Sequence, residues 1–490
     1  MKALSIIMVL TVLMLLSPWL LNRAPYIGDS WVHLKKAEEI IKLGRFNSDE
    51  YNEMWPLINL IIAFSSIIGG ANSLVSSQLI PLLVSLSVMN IYILANKISE
   101  SPISGVAAGT ALAFIPLYTF LTFGSAIMKE TASFYLSTLI IAYLLSSKFS
   151  HICFALLSLG LIFGHHFGSL AVFLLMLTLF VEDFLELLAG ESKQWFRTLA
   201  DIILFGSFLF VWNLYVVSRI GWFSPVDLES LSMFSLIWTG SYAISRVGKI
   251  PSIMFQTLLI PLVFLAWRGH LHTIPTPVNP ISIWEIINLL IFFIPTIIGL
   301  AMYWRKTLIR SLLASTSTMI VFSLVWSLDY EGLVVFTKSL HYYGVFLAIV
   351  FSLSACFIAK KRFGKVIVAM LLAFLVYASI TGVSMALQGP GAYHEAEYIE
   401  MSSLSKISSE HIVMDTKLAY LAEYLNMSYS SIHRLKSGEY ILLTKSDFTH
   451  GILLGYVWAD ISLYIPAGQI TFCDKVFDGG YLKLLRVNNV

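Results

Sequence analysis

The stretch Ala3–Leu21, ALSIIMVLTVLMLLSPWLL, carries no acidic or basic side chain. About 20 such residues suffice to cross the hydrocarbon of a bilayer. Leu74–Ala95 is a second run of the same kind, and many more follow it along the 490 residues. The chain is 57% hydrophobic and only 12% charged, with a mean hydropathy of +0.80. Soluble proteins use charged residues at about a quarter of positions. The first run ends in Trp19-Leu20-Leu21-Asn22-Arg23, without a small-residue cleavage pattern, so it reads as a retained span and not as a removable leader.

Apolar runs and their interruptions predict spans near 3–21, 74–96, 103–123, 131–146, 151–164, 167–188, 199–217, 229–243, 251–267, 282–302, 311–328, 341–358 and 365–386, thirteen crossings in all. The run Trp55–Ile68 is short and ends in Gly69-Gly70, so it reads as a helix at or dipping into the interface. Placing the N-terminus in the cytoplasm puts Lys2, Lys97, Lys148, Lys193, Arg197, Arg246, Lys249, Arg305, Lys306, Arg310 and the Lys360–Lys365 cluster inside, as the positive-inside rule requires. That last cluster is a topology determinant and a contact for anionic head groups of the cell membrane. An odd number of crossings leaves the C-terminus outside.

Residues 1–388 therefore read as a polytopic α-helical membrane domain with a first outer loop at 22–54, and residues 389–490 as a small extracytoplasmic α/β domain. Strand-like runs occupy His411–Met414, Tyr440–Thr444 and Val476–Val487, the last holding the turn signal Asp478-Gly479-Gly480. A net charge of +2 without a large basic cluster gives no reason to expect nucleic acid. Cys153, Cys356 and Cys473 encode neither a disulfide framework nor a CxxC metal site.

The first outer loop holds residues with the means for chemistry. It reads Gly28-Asp29-Ser30-Trp31-Val32-His33-Leu34-Lys35-Lys36, continues to Gly44-Arg45-Phe46, and re-enters an apolar run at Trp55-Pro56. Trp31, Leu34, Ala37 and Ile41 recur at helical spacing, which predicts a surface helix lying along the membrane. Asp29 stands at its start, where an acid ordinarily caps backbone N–H groups.

An Asp one turn past the first span, a His one turn later, a helix, a Gly, an aromatic and a Trp-Pro make this loop resemble the first extracytoplasmic loop of the GT-C glycosyltransferase superfamily. The resemblance is greatest to archaeal members related to the oligosaccharyltransferase catalytic subunit. It implies a polytopic GT-C fold and transfer of a sugar, with inversion, from a polyprenyl-phosphate-linked donor to a glycan, lipid or protein acceptor at the outer face of the membrane. It also implies that Asp29 is the catalytic base or a metal ligand. Glu130, beside Lys129, falls where that subunit carries a second acidic motif.

The leaving phosphate needs cations, and topology offers several groups at the outer surface. They are His33, Lys129, the adjacent His165 and His166 in Phe163-Gly164-His165-His166-Phe167-Gly168, and Lys338 and His341 after the polar loop Trp326–Gly332. Mg²⁺ or Mn²⁺ is the natural alternative source of positive charge, since carboxylate and phosphate oxygens suit hard cations. Two other classes fit the same composition: a transporter or flippase for lipid-linked glycans, and a non-catalytic membrane scaffold.

Overall fold

The computed structural model describes residues 2–45, 53–114, 125–144, 150–190, 195–220, 228–271, 283–326, 330–388, 392–407, 410–433, 435–445, 447, 452–454, 457–459 and 473–488. Among them the helices run α1 (Lys2–Leu15), α2 (Asp29–Leu43), α3 (Leu57–Gly69), α4 (Ser73–Ser76), α5 (Leu79–Ser99), α6 (Pro102–Ala113), α7 (Lys129–Leu144) and α8 (His151–Gly164). They continue as α9 (His166–Leu188), α10 (Trp195–Ile220), α11 (Leu228–Val247), α12 (Lys249–Leu271), α13 (Ile283–Tyr303), α14 (Thr307–Trp326), α15 (Tyr330–Ala359) and α16 (Gly364–Gln388).

Among the described residues, six stretches are long and apolar enough to cross a membrane: Ser73–Ser99, Thr198–Arg219, Lys249–Ala266, Thr307–Val325, Val335–Ala359 and Gly364–Thr381. The chain is an integral membrane protein. Other apolar helices, among them α1, α3, α6 and α8, are shorter. Each of the thirteen expected runs overlaps a described helix. Pro18 explains one case of a shorter helix, because α1 stops at Leu15 and the run continues as a π-helical turn over Pro18–Asn22. In another, α6 ends at Ala113 and residues 115–124 lie outside the described residues.

The bundle is organised around α15, whose span is 89% buried, against 22% for α16 and 17% for α10. It packs against α6, α13 and α14. Lipid tails are as apolar as leucine, so helices in a bilayer associate through close contact and hydrogen bonds. Ser104, Ala107, Ala108 and Ala111 provide the first on α6. Gly105 is required there, since a Cβ would fall 2.9 Å from the Tyr92 carbonyl oxygen of α5. Hydrogen bonds join Ser104 Oγ to Ser352 Oγ at 3.0 Å, Asn90 Nδ2 to Thr138 Oγ1 at 3.1 Å, and Gln256 Nε2 to Ser317 Oγ at 3.0 Å.

Glu182, fully buried near the end of α9, accepts from Arg246 at 2.8 Å and from Arg310 at 2.7 Å. This triad ties α9, α11 and α14 together. Glu182→Ala is expected to cost about 3 kcal/mol, the low end for breaking a buried ion pair, because both guanidinium groups keep some access to water. Thermal unfolding in detergent checks it; an unchanged midpoint would show that the triad carries no stability.

The C-terminal region is an α/β unit. Strands β1 (Ile412–Met414), β2 (Tyr429–Ser431), β3 (Tyr440–Thr444), β6 (Asp474–Asp478) and β7 (Leu482–Arg486) form one sheet in the order β2-β1-β3-β7-β6. β1 is parallel to β2 and β3, and β3-β7-β6 is antiparallel. Parallel neighbours need a crossover. Helix α18 (Thr416–Tyr424) supplies it between β1 and β2, with Asp415 Oδ1 accepting from Leu418 N at its start. Strands β4 (Ile452–Leu454) and β5 (Val457–Ala459) make a separate hairpin, and α17 (Glu395–Ile407) leads into the sheet.

One hydrophobic core joins this unit to the first loop. It contains Trp31, Leu34, Ala37 and Ile40 of α2, Ile58 and Ile62 of α3, Met401 and Leu404 of α17, and Leu418 and Leu421 of α18. The expected helix after Asp29 is therefore present; of its expected apolar stripe, Trp31, Leu34 and Ala37 are buried against protein and Ile41 is exposed.

Candidate active site

Asp29 is the first residue of α2, after Gly28. The next residue fixes its surroundings. Ser30 Oγ donates to Tyr26 O at 2.6 Å and accepts from Ile127 N at 3.0 Å, and Tyr26 pairs with Ala126 in a short parallel bridge. These bonds strap the start of α2 to the segment that opens α7, and so bring Lys129 and Glu130 beside Asp29.

Glu130 is the hub. Its Oε1 carries an ion pair with the Lys338 ammonium of α15 and lies 3.2 Å from His165 Nε2. His165 sits in extended backbone between α8 and α9, where its Nδ1 accepts from Phe167 N at 3.3 Å. With Nδ1 an acceptor, the ring proton belongs on Nε2, toward Glu130. Burial pushes His165 down to about 4, so at neutral pH an uncharged ring faces the carboxylate.

Trp55 packs against this cluster and is fully buried. The Lys129 ammonium lies 5.2 Å from its ring centroid, a cation–π distance, and the His166 ring 4.7 Å. The rings of His165 and His166 are 4.3 Å apart. His33, one turn along α2 from Asp29, is buried and shares a 2.8 Å hydrogen bond between Nδ1 and Asn59 Oδ1 of α3. Its desolvation, with Lys129 nearby, pushes it down to about 4. It is a neutral donor to the amide.

Asp29 itself is half-buried. Burial raises its carboxyl above the usual carboxylate range, and the negative charge of Glu130 raises it further. Lys129, Lys338 and a hydrogen bond from Tyr420 pull the other way. Two carboxylates, two ammonium groups and neutral histidines thus form one cluster. Among the described residues no set of three His, Cys, Asp or Glu side chains is arranged to hold a metal ion.

Comparison with known proteins bears on the fold. No protein-family model matches the chain, and no curated protein does. A solved structure does: the oligosaccharyltransferase of Archaeoglobus fulgidus, tethered by a disulfide bond to an acceptor peptide containing the NVT sequon. It aligns with 91% of this chain and 69% of its own, at a TM-score of 0.56 and 12% identity. The chain has the GT-C fold. ArnT from Cupriavidus metallidurans in the apo state aligns with 99% of this chain and 97% of its own, at 9% identity and a TM-score of 0.44. Bound to undecaprenyl phosphate, ArnT aligns over the same shares at 10% identity and a TM-score of 0.37.

Asp29, Glu130, Lys129, Lys338, His33, His165 and His166 come together in one cluster. His341 is buried with its ring edge-on to Phe134 at 6.0 Å. The capping role for Asp29 is corrected. Gly28 holds the cap position and Asp29 lies inside the first turn, leaving its carboxylate to the pocket. The acidic residues Asp329 and Glu331 of the late loop lie outside the described side chains.

Sequence reasoning missed Tyr420. It belongs to α18, far away in the chain, yet its hydroxyl bonds the Asp29 carboxyl. Its ring lies flat against Gly28, where a Cβ would fall 2.1 Å from Tyr420 Cδ2. No side chain fits there. Gly28→Ala is expected to destabilise the protein by about 1–3 kcal/mol through overpacking. Tyr420→Ala in the same chain should relieve part of that loss, a coupling that a double-mutant cycle in thermal unfolding detects. Additive losses would place the two residues apart.

Proposed function

We propose that the chain is a membrane glycosyltransferase that moves a sugar from a polyprenyl-phosphate-linked donor to an acceptor hydroxyl or amide at the outer face of the membrane. One observation carries this reading: the half-buried Asp29 carboxylate stands within electrostatic reach of the ammonium groups of Lys129 and Lys338. A base and a phosphate-binding pair are the two parts such a transfer needs. The GT-C fold shared with an oligosaccharyltransferase supports the same class.

In this reading Lys129 and Lys338 hold the donor phosphate through charge-assisted hydrogen bonds, with His165 and His166 lining the pocket. Asp29 accepts the proton of the acceptor as its heteroatom attacks the anomeric carbon. The bond from that carbon to the phosphate oxygen breaks on the opposite side, and polyprenyl phosphate leaves. One displacement inverts the anomeric configuration. Glu130, held by Lys338 and His165, is a positioning residue and not a second base. His33 and Asn59 brace the first turns of α2 from behind. The C-terminal α/β unit lies on the outer side and borders the acceptor.

Purified full-length protein supplied with a polyprenyl-phosphate hexose and an acceptor extract tests the reading. Release of polyprenyl phosphate and a product of opposite anomeric configuration by NMR are expected. Retained configuration would exclude the single displacement, and hydrolysis or transfer no faster than without protein would remove the enzymatic reading.

A further inference from the structure

A transferase of this kind must counter the charge that grows on the leaving phosphate. A divalent cation held by carboxylates is one solution, and Asp29, Glu130 and His165 are the ligand types a hard or borderline cation would recruit. The pocket is arranged against it. The Oε1 atom of Glu130, which such a cation would occupy, already carries the Lys338 ammonium. The Lys129 ammonium, stacked on Trp55, adds a second positive charge within reach of Asp29. His165 turns a protonated nitrogen, Nε2, toward Glu130, and a protonated nitrogen cannot ligate a metal. All three ligand types are therefore engaged or faced by positive charge.

We propose that Lys338 takes the place of a divalent cation in this site. Resting on the transferase reading above, its ammonium stays anchored on Glu130 and turns its remaining donors to the phosphate, bridging carboxylate to phosphate as a metal would. An ammonium has three donors and no preferred coordination geometry, which permits this double contact. Glu130 then serves to hold the ammonium in place, and the chain needs neither Mg²⁺ nor Mn²⁺.

The test uses the full chain in detergent with two probes, Mn²⁺ followed by electron paramagnetic resonance and farnesyl phosphate followed by calorimetry. Neither needs turnover, so failure here is separate from failure of the transferase reading. Wild-type protein is expected to take up no Mn²⁺ that Glu130→Gln removes, and to bind farnesyl phosphate equally in EDTA and in Mg²⁺. Lys338→Ala should weaken farnesyl phosphate about tenfold or more, the scale of one charge-assisted hydrogen bond, while Lys338→Arg keeps most of the affinity. Stoichiometric Mn²⁺ uptake by the wild type, lost in Glu130→Gln, would overturn the proposal. So would farnesyl phosphate binding that EDTA abolishes and Mn²⁺ restores. Should Lys338→Ala fail to fold, Lys338→Arg and the wild-type metal titration still decide the question.

Discussion

Asp29→Asn is expected to lower kcat/KM for sugar transfer about a thousandfold, ~4 kcal/mol of transition-state stabilisation, the middle of the range for removal of a general base. The substitution preserves size, the first turn of α2 and an oxygen for the Tyr420 hydroxyl, so thermal unfolding should hardly move. Binding of farnesyl phosphate should persist, because Lys129 and Lys338 are untouched. The wild-type pH profile carries a second signature. Burial and the charge of Glu130 raise the Asp29 carboxyl above the usual carboxylate range. The base works only when ionised, so activity rises with pH through that raised value and is lost as pH falls through it. Full activity in Asp29→Asn, measured with a polyprenyl-phosphate hexose, would remove the aspartate from the chemistry.

Trp31→Ala is expected to cost about 3–5 kcal/mol, the usual range for truncating a buried aromatic. Its ring is 1% exposed and meets Tyr393, Tyr398 and Tyr424 at centroid distances of 5.7, 5.5 and 5.2 Å. All three tyrosines belong to the C-terminal region, so this residue fastens the first loop to them. Glu38 adds a second tie, accepting from Tyr424 at 2.8 Å and from Ser73 at 2.5 Å. Loss of the Trp31 ring should loosen the C-terminal unit while the bundle stays folded, which limited proteolysis near Gln388 would register. Tyr420 rides on the same helix as Tyr424, so the hydroxyl at Asp29 should be lost with it. Proteolysis identical to that of the wild type would show that the unit is held by other contacts.

Much of the site was readable because charge is scarce in this chain. Where apolar runs dominate, each interruption stands out, and Asp29, Glu130, His165 and Lys338 are all interruptions at one end of predicted spans. The positive-inside rule then sorts them to a common surface without any knowledge of packing. What burial pattern cannot say is which surface does the burying. The stripe Trp31, Leu34, Ala37 marks a covered face equally well under a bilayer or under α18, and only the tertiary structure separates the two.

The alternative of a capping role for Asp29 turned on a single residue. Gly28 and Asp29 are both acceptable at a helix start, and a shift of one residue moves the carboxylate from the backbone to the pocket. Tyr420 left no local signal at all, since its position depends on the sheet that carries α18. The span count was the coarsest reading. Proline 18 and the early end of α6 show that an unbroken apolar run need not be an unbroken helix.

The most direct test is a structure of the full chain in a lipid nanodisc with a polyprenyl phosphate bound. The phosphate is expected between the Lys129 and Lys338 ammonium groups, beside the Asp29 carboxylate and against the His165 and His166 turn. A phosphate seated instead at the Glu182, Arg246 and Arg310 cluster, with the Asp29 pocket closed to it, would contradict the assignment of this pocket as the site of transfer.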